Sequence, residues 1–212
     1  MDKLKIIIVD DVEMTRLGLY LLLDKSNKFS AIVDATDGGS FLDLLQHFTP
    51  DMVLMDVNMP IMNGIEATQK AMKMYPSLKI IALTNDGGEE YIEDMIAAGA
   101  KGFLMKKINS LELQKVIEVV MNGGTYFAPE LISYYNRVCI DHSEKRRIEL
   151  TAGEETVLNL LCKGFSIKEI ASKLSVSIKF VDEQCSQLSA KTATHNAVGL
   201  VLFAIKHKMV TV

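Results

Sequence analysis

Five short apolar runs, each followed by an amphipathic stretch of helical length, set the tightest constraint on what this 212-residue chain folds into. The runs fall near residues 4–9, 31–35, 51–55, 79–83 and 102–105, and helical patterns follow near 14–25, 39–48, 64–74, 88–98 and 109–121. Runs of Ile, Val, Leu and Met without polar alternation suit strands covered on both faces, and β/α alternation places such strands in a parallel sheet. Five units fill a domain of about 120 residues. In an open parallel sheet the strand carboxyl ends share one edge, where ligands bind. Polar residues close four of the runs there: Asp10 with Asp11, then Asp56, Thr84 and Lys106. Three carboxylates, a hydroxyl and an ammonium are therefore expected in one pocket.

Beyond residue 122 the pattern changes. Asn122-Gly123-Gly124 carries the breaker chemistry that ends a helix. Residues 123–148 read as a linker, in which Leu131, Tyr135 and Val138 have helical spacing and Lys145, Arg146 and Arg147 form a basic run expected to be solvated. Residues 149–212 hold no strand pattern and read as four helices. Thr151 with Glu154 and Ser166 with Glu169 are capping boxes, Ser177 is a natural N-cap for the third helix, and 196–208 supplies an apolar fourth. A short helix, a tight turn at Leu174-Ser175-Val176 and a longer helix make a helix-turn-helix.

Charge divides along the same line. Residues 1–125 carry 12 Lys/Arg against 18 Asp/Glu, whereas residues 144–212 carry 10 against 7, which implies two modules with different partners. No apolar run approaches the roughly 20 residues that span a bilayer, and the first residues enter a strand rather than a basic-then-apolar leader. Cys139, Cys162 and Cys185 are scattered without metal spacing. A cytoplasmic protein with reduced, structural thiols is expected.

Adjacent carboxylates plus a third on a neighbouring strand offer oxygen ligands for a hard cation such as Mg2+, and one of them can attack phosphorus. Lys106 and the Thr84 hydroxyl would contact the remaining oxygens of a transferring phosphoryl group. A magnesium phosphohydrolase using Asp56 as nucleophile shares this chemistry, but the chain has no separate substrate cap and ends in a helix-turn-helix. Asp10-Asp11, the run Asp56-Val57-Asn58-Met59-Pro60 with Gly64, Thr84, and Gly102-Phe103-Leu104-Met105-Lys106 resemble the receiver domain of a two-component response regulator over residues 3–122. The resemblance implies a flavodoxin-like (βα)5 receiver in which Asp56 accepts a phosphoryl group from a sensor histidine kinase. It further implies that Asp11, Asp56 and the Asn58 carbonyl hold Mg2+ with help from Asp10, and that Thr84 and Phe103 form a switch pair. Such a domain is a phosphoacceptor with at most autophosphatase activity, not a metabolic enzyme. Asn85 stands where the family usually keeps a small residue, and it is expected to alter the rates of phosphoryl gain or loss.

Leu150-Thr151 with Glu154, Gly164-Phe165-Ser166 with Lys168-Glu169-Ile170-Ala171, and Leu174-Ser175-Val176-Ser177 resemble the LuxR-type output domain of the NarL/FixJ family. In that family the helix beginning near Ser177 enters the DNA major groove and the fourth helix dimerises. The resemblance therefore implies a promoter-binding transcription regulator that is a homodimer when phosphorylated. The third helix departs from the family: Phe180 replaces a common threonine, Gln184 and Cys185 replace a frequent His-Arg pair, and Thr192 replaces a core leucine. Lys179 and Lys191 are offset by Asp182 and Glu183, and no arginine follows Arg147. Lys179, Glu183, Gln184, Ser186, Gln187 and Lys191 are the candidate DNA contacts, with Lys163, Lys168 and Lys173 as further phosphate partners. The alternative is a receiver whose degenerate helix-turn-helix serves protein interaction or dimerisation without specific DNA binding.

Overall fold

Apolar runs pair where water is excluded from both sides. β1 (Leu4–Val9), β2 (Phe29–Ala35), β3 (Met52–Asp56), β4 (Lys79–Thr84) and β5 (Gly102–Met105) form a parallel sheet in the order β2-β1-β3-β4-β5. The computed structural model describes residues 3–26, 28–85, 91–127, 148, 150–192, 194, 197–207 and 209. Every residue of β3 is buried, as are Ile6, Ile7, Ile8 and Val9 of β1. The connecting helices are α1 (Glu13–Asp24), α2 (Gly38–Leu45), α3 (Gly64–Met74), α4 (Ile92–Ala98) and α5 (Ser110–Met121). They bury one stripe each, for example Leu113, Val116, Ile117 and Val120 of α5. From β1 the chain goes to β2 on one side and then returns to lay β3 on the other. The carboxyl ends of β1 and β3 therefore flank a switch point, where such sheets open a ligand crevice.

The chain separates into two compact units, Met1–Met121 and Asn122–Val212. The second begins with a two-residue strand, β6 (Tyr126–Phe127), and continues with α6 (Ala152–Cys162), α7 (Ile167–Leu174), α8 (Ile178–Thr192) and α9 (Ala197–Lys206). Both expected capping boxes are present: Thr151 with Glu154 opens α6 and Ser166 with Glu169 opens α7. The Ser177 hydroxyl accepts from the Phe180 amide at 3.1 Å. Ser175, in the left-handed region at φ 54°, ends α7 and turns the chain into α8. Val157, Leu158, Ile170, Val181, Leu188 and Leu200 are fully buried and form the core of this unit. The helical spacing at 131, 135 and 138, the basic run at 145–147, Cys139 and the start of the fourth helical pattern at Asn196 lie outside the described residues. Among those residues, no helix is long and apolar enough to cross a membrane.

Candidate functional site

Strand register alone assembles the first unit's pocket. Val9 pairs with Met55, Asp56 with Leu83, and Thr84 with Met105. Asp10, Asp56, Thr84 and Lys106 therefore line up along the carboxyl edge. Asp10, Asp56 and Thr84 are buried and Asp11 is exposed. One oxygen from each of Asp10, Asp11 and Asp56 lies within 4.8 Å of the others. Lys106 Nζ stands 2.8 Å from Asp10 Oδ2 and 2.8 Å from Asp56 Oδ2, an ion-pair contact to both.

The loops hold these groups in place. Asp10 Oδ1 accepts from the Val12 amide at 2.9 Å, and Arg16 Nη1 donates to the Asp10 carbonyl at 2.8 Å. Arg16 Nε is in turn held by Asp34 Oδ2 at 2.7 Å. Sequence reasoning missed Arg16, whose only signal was that it is the sole basic residue within α1. The Asn58 amide donates to Asp56 Oδ1 at 3.3 Å, and the Lys106 amide to the Thr84 carbonyl at 2.7 Å. A Cβ on Gly64 would fall 1.9 Å from the Asp56 carbonyl oxygen, so only glycine lets α3 begin this close to the acidic residue. Thr84 Oγ1 donates to the Asn85 carbonyl at 3.1 Å. Phe103 is fully buried in this conformation.

Burial pushes the Asp56 carboxyl above the usual carboxylate range; Lys106 pulls it down, the Asp10 charge pushes it up again, and the net direction is upward. Burial also works against the Lys106 ammonium, but Asp10 and Asp56 outweigh it and raise its pKa. Lys106 is therefore charged at neutral pH. Three carboxylates facing one ammonium leave excess negative charge among hard oxygen donors, and this donor set fits a divalent cation such as Mg2+.

In the second unit, α8 turns Val181, Leu188 and Thr192 into the core. The Thr192 hydroxyl donates to the Leu188 carbonyl at 2.7 Å and pairs with the Thr194 hydroxyl at 2.9 Å, which explains how a polar residue occupies a leucine position. Two of the expected DNA contacts also have neighbours within the unit. Lys191 Nζ sits 2.7 Å from Glu154 Oε2, and Gln184 Oε1 lies 3.0 Å from where a Cβ on Gly153 would be. Glu154 is fully covered, though not deep within this small unit. The sequence signals for this arrangement, a capping glutamate and a glycine one residue before it, point to a helix start and not to a partner 37 residues away. Lys179, Glu183, Ser186 and Gln187 are exposed, and Lys179 Nζ stands 4.0 Å from Glu183 Oε1. Lys163, Lys168 and Lys173 are also exposed, with the Lys173 ammonium over the Phe165 ring, 4.9 Å from its centroid.

Residues 6–118 match the response regulator receiver domain, and residues 149–204 match the luxR family of bacterial regulatory proteins. The chain belongs to the LuxR-type response regulators. It is 30% identical to the transcriptional regulatory protein DegU of Brevibacillus brevis over 228 residues, covering 100% of this chain and 97% of that protein. It is 32% identical to the oxygen regulatory protein NreC of Staphylococcus aureus over 215 residues, covering 97% and 99%. Among solved structures, this response regulator is similar to RcsB from Salmonella enterica serovar Typhimurium bound to promoter rprA with the phosphomimetic BeF3-, at TM-score 0.55 and 25% identity over 95% and 98% of the two chains. It is also similar to a LuxR-family response regulator from Aurantimonas sp., at TM-score 0.60 and 28% identity over 65% of this chain and 99% of that one.

Proposed function

We propose that this response regulator receives a phosphoryl group on Asp56 from a sensor histidine kinase in the cytoplasm and, as a homodimer, binds promoter DNA through its C-terminal unit. Residues 1–122 form the phosphoacceptor domain, 123–148 the linker and 149–212 the DNA-binding domain. The observation that carries this reading is the convergence of Asp10, Asp11, Asp56 and Lys106 at one sheet edge, in a chain that also ends in a LuxR-type helix-turn-helix. An Asp56 oxygen attacks the phosphorus of the donor, the bond from phosphorus to the donor breaks, and the donor keeps that electron pair. Asp10, Asp11, Asp56 and the Asn58 carbonyl would hold Mg2+, which neutralises charge on the phosphoryl oxygens as they transfer. Lys106 leaves its ion pair with Asp56 to contact one of those oxygens. Thr84 exchanges the Asn85 carbonyl for another, which moves the end of β4 and biases the surface of α4, β5 and α5. Slow hydrolysis of the acyl phosphate in the same pocket resets the switch.

Incubation with acetyl phosphate and Mg2+ is expected to label the wild-type chain and leave Asp56→Asn unlabelled. Continued labelling of that variant overturns the site assignment. One observation favours the second reading, a protein-interaction module: the described exposed residues of α8 carry Asp182 and Glu183 against Lys179 and Lys191, and Lys191 is paired with Glu154. Binding of the phosphorylated chain to promoter fragments separates the two, since a specific complex weakens steeply with salt and an interaction module forms none.

A further inference from the structure

The packing of α8 decides which side chains it offers to a partner. With Val181, Leu188 and Thr192 in the core, helical spacing puts Lys179, Glu183, Ser186 and Ala190 on the opposite side. Gln184 and Lys191 fall on the flank of the helix, where the Gln184 carboxamide lies beside Gly153 and Lys191 pairs with Glu154. Ser186 and Ala190 are short, so the helix backbone can approach a groove closely. The long groups on the N-terminal half, which in helix-turn-helix proteins meets base edges, are Lys179 and Glu183.

Building on the proposed DNA-binding function, we infer that Glu183 is a specificity-determining residue that accepts a hydrogen bond from the N4 amine of a cytosine in the major groove. A carboxylate only accepts, so it needs a base edge that donates. Cytosine presents its N4 amine there, whereas adenine sets the N7 acceptor beside its N6 amine and repels a carboxylate; guanine and thymine present acceptors. Glu183 is well placed for this, with its side chain 59% exposed. Lys179, 4.0 Å away one turn earlier, offsets the carboxylate's repulsion from the phosphates that flank the groove. A basic reader would bind DNA with less discrimination. An acidic one gives up non-specific affinity and gains a strong penalty against every base that offers it an acceptor.

The test is selection from a random duplex pool by the full-length chain, phosphorylated with acetyl phosphate and Mg2+, run in parallel for wild type and Glu183→Gln. Wild-type sites are expected to carry cytosine at one fixed position, and replacing it with thymine weakens binding by about tenfold. Gln both donates and accepts, so Glu183→Gln moves that position to adenine and leaves the other positions unchanged. Equal melting temperatures of the two chains show that the exposed substitution has not altered the fold. If both chains enrich the same base at every position, the assignment of Glu183 is overturned while the DNA-binding function stands. If the folded wild type enriches no sequence, both fall, and the face belongs to a protein partner.

Discussion

At the residue scale, the pocket is a collection of like charges kept together by one lysine. Asp11 is the member that water reaches; Asp10 and Asp56 are buried against Lys106. Without a divalent cation, Asp11 adds a third carboxylate beside Asp10 and Asp56, which share one ammonium, so Asp11→Asn is expected to stabilise the receiver by about 0.5 kcal/mol in Mg2+-free buffer. With Mg2+ the order reverses, because a cation that binds only the folded state stabilises it and the variant loses a ligand. Thermal melts of both proteins with and without Mg2+ check this; an unchanged or larger Mg2+ shift in Asp11→Asn refutes the ligand role. Lys106→Met strands two buried carboxylates and is expected to cost about 3 kcal/mol at pH 7, read as a lower urea midpoint.

At the element scale, two contacts hold secondary structure where function needs it. The first turn of α3 rests directly on the backbone of Asp56, and Gly64→Ala drives a methyl into that carbonyl. The variant is expected to lose about 2–3 kcal/mol and most acetyl-phosphate labelling together, since relief of the clash displaces Asp56. Full labelling at wild-type rate would show that the contact does not position the phosphoacceptor. The second contact is the ion pair joining α6 to α8. Burial raises the Glu154 pKa, but Lys191 and Thr151 lower it by more, so the folded value lies below the ordinary 4.5. The carboxylate's contribution is therefore complete above about pH 4.5 and is lost as pH falls through the folded value. Lys191→Met removes most of it at neutral pH, at a cost of about 1–2 kcal/mol because Lys191 is 37% exposed. Hydrogen exchange of α6 and α8 amides reads this unit separately; equal protection in both proteins at pH 7 would rule the clamp out.

At the scale of the whole molecule, the acidic receiver and the mildly basic C-terminal region suit the proposed division between a metal-assisted phosphoryl site and a nucleic-acid surface. Among the described residues, the exposed cations of the helical unit are few. If each protomer neutralises phosphates only through Lys163, Lys168, Lys173 and Lys179, the slope of log K against log salt is no steeper than about −4 per protomer. Titrations at several salt concentrations measure it, and a steeper slope would place additional basic residues on the DNA.

Periodicity and punctuation made the elements legible: short apolar runs, capping boxes at Thr151 and Ser166, and polar residues closing strands are local signals of backbone preference. The pocket was legible for the same reason, because a parallel sheet brings strand ends to one edge whatever lies between them. Local signals do not carry the rotation of a helix about its own axis against its neighbours. Gln184 and Lys191 read like Glu183 in the sequence, and only packing sets them beside Gly153 and Glu154. Strand positions follow from the chain's own patterning; which side chains remain for a partner depends on contacts between residues far apart in that chain.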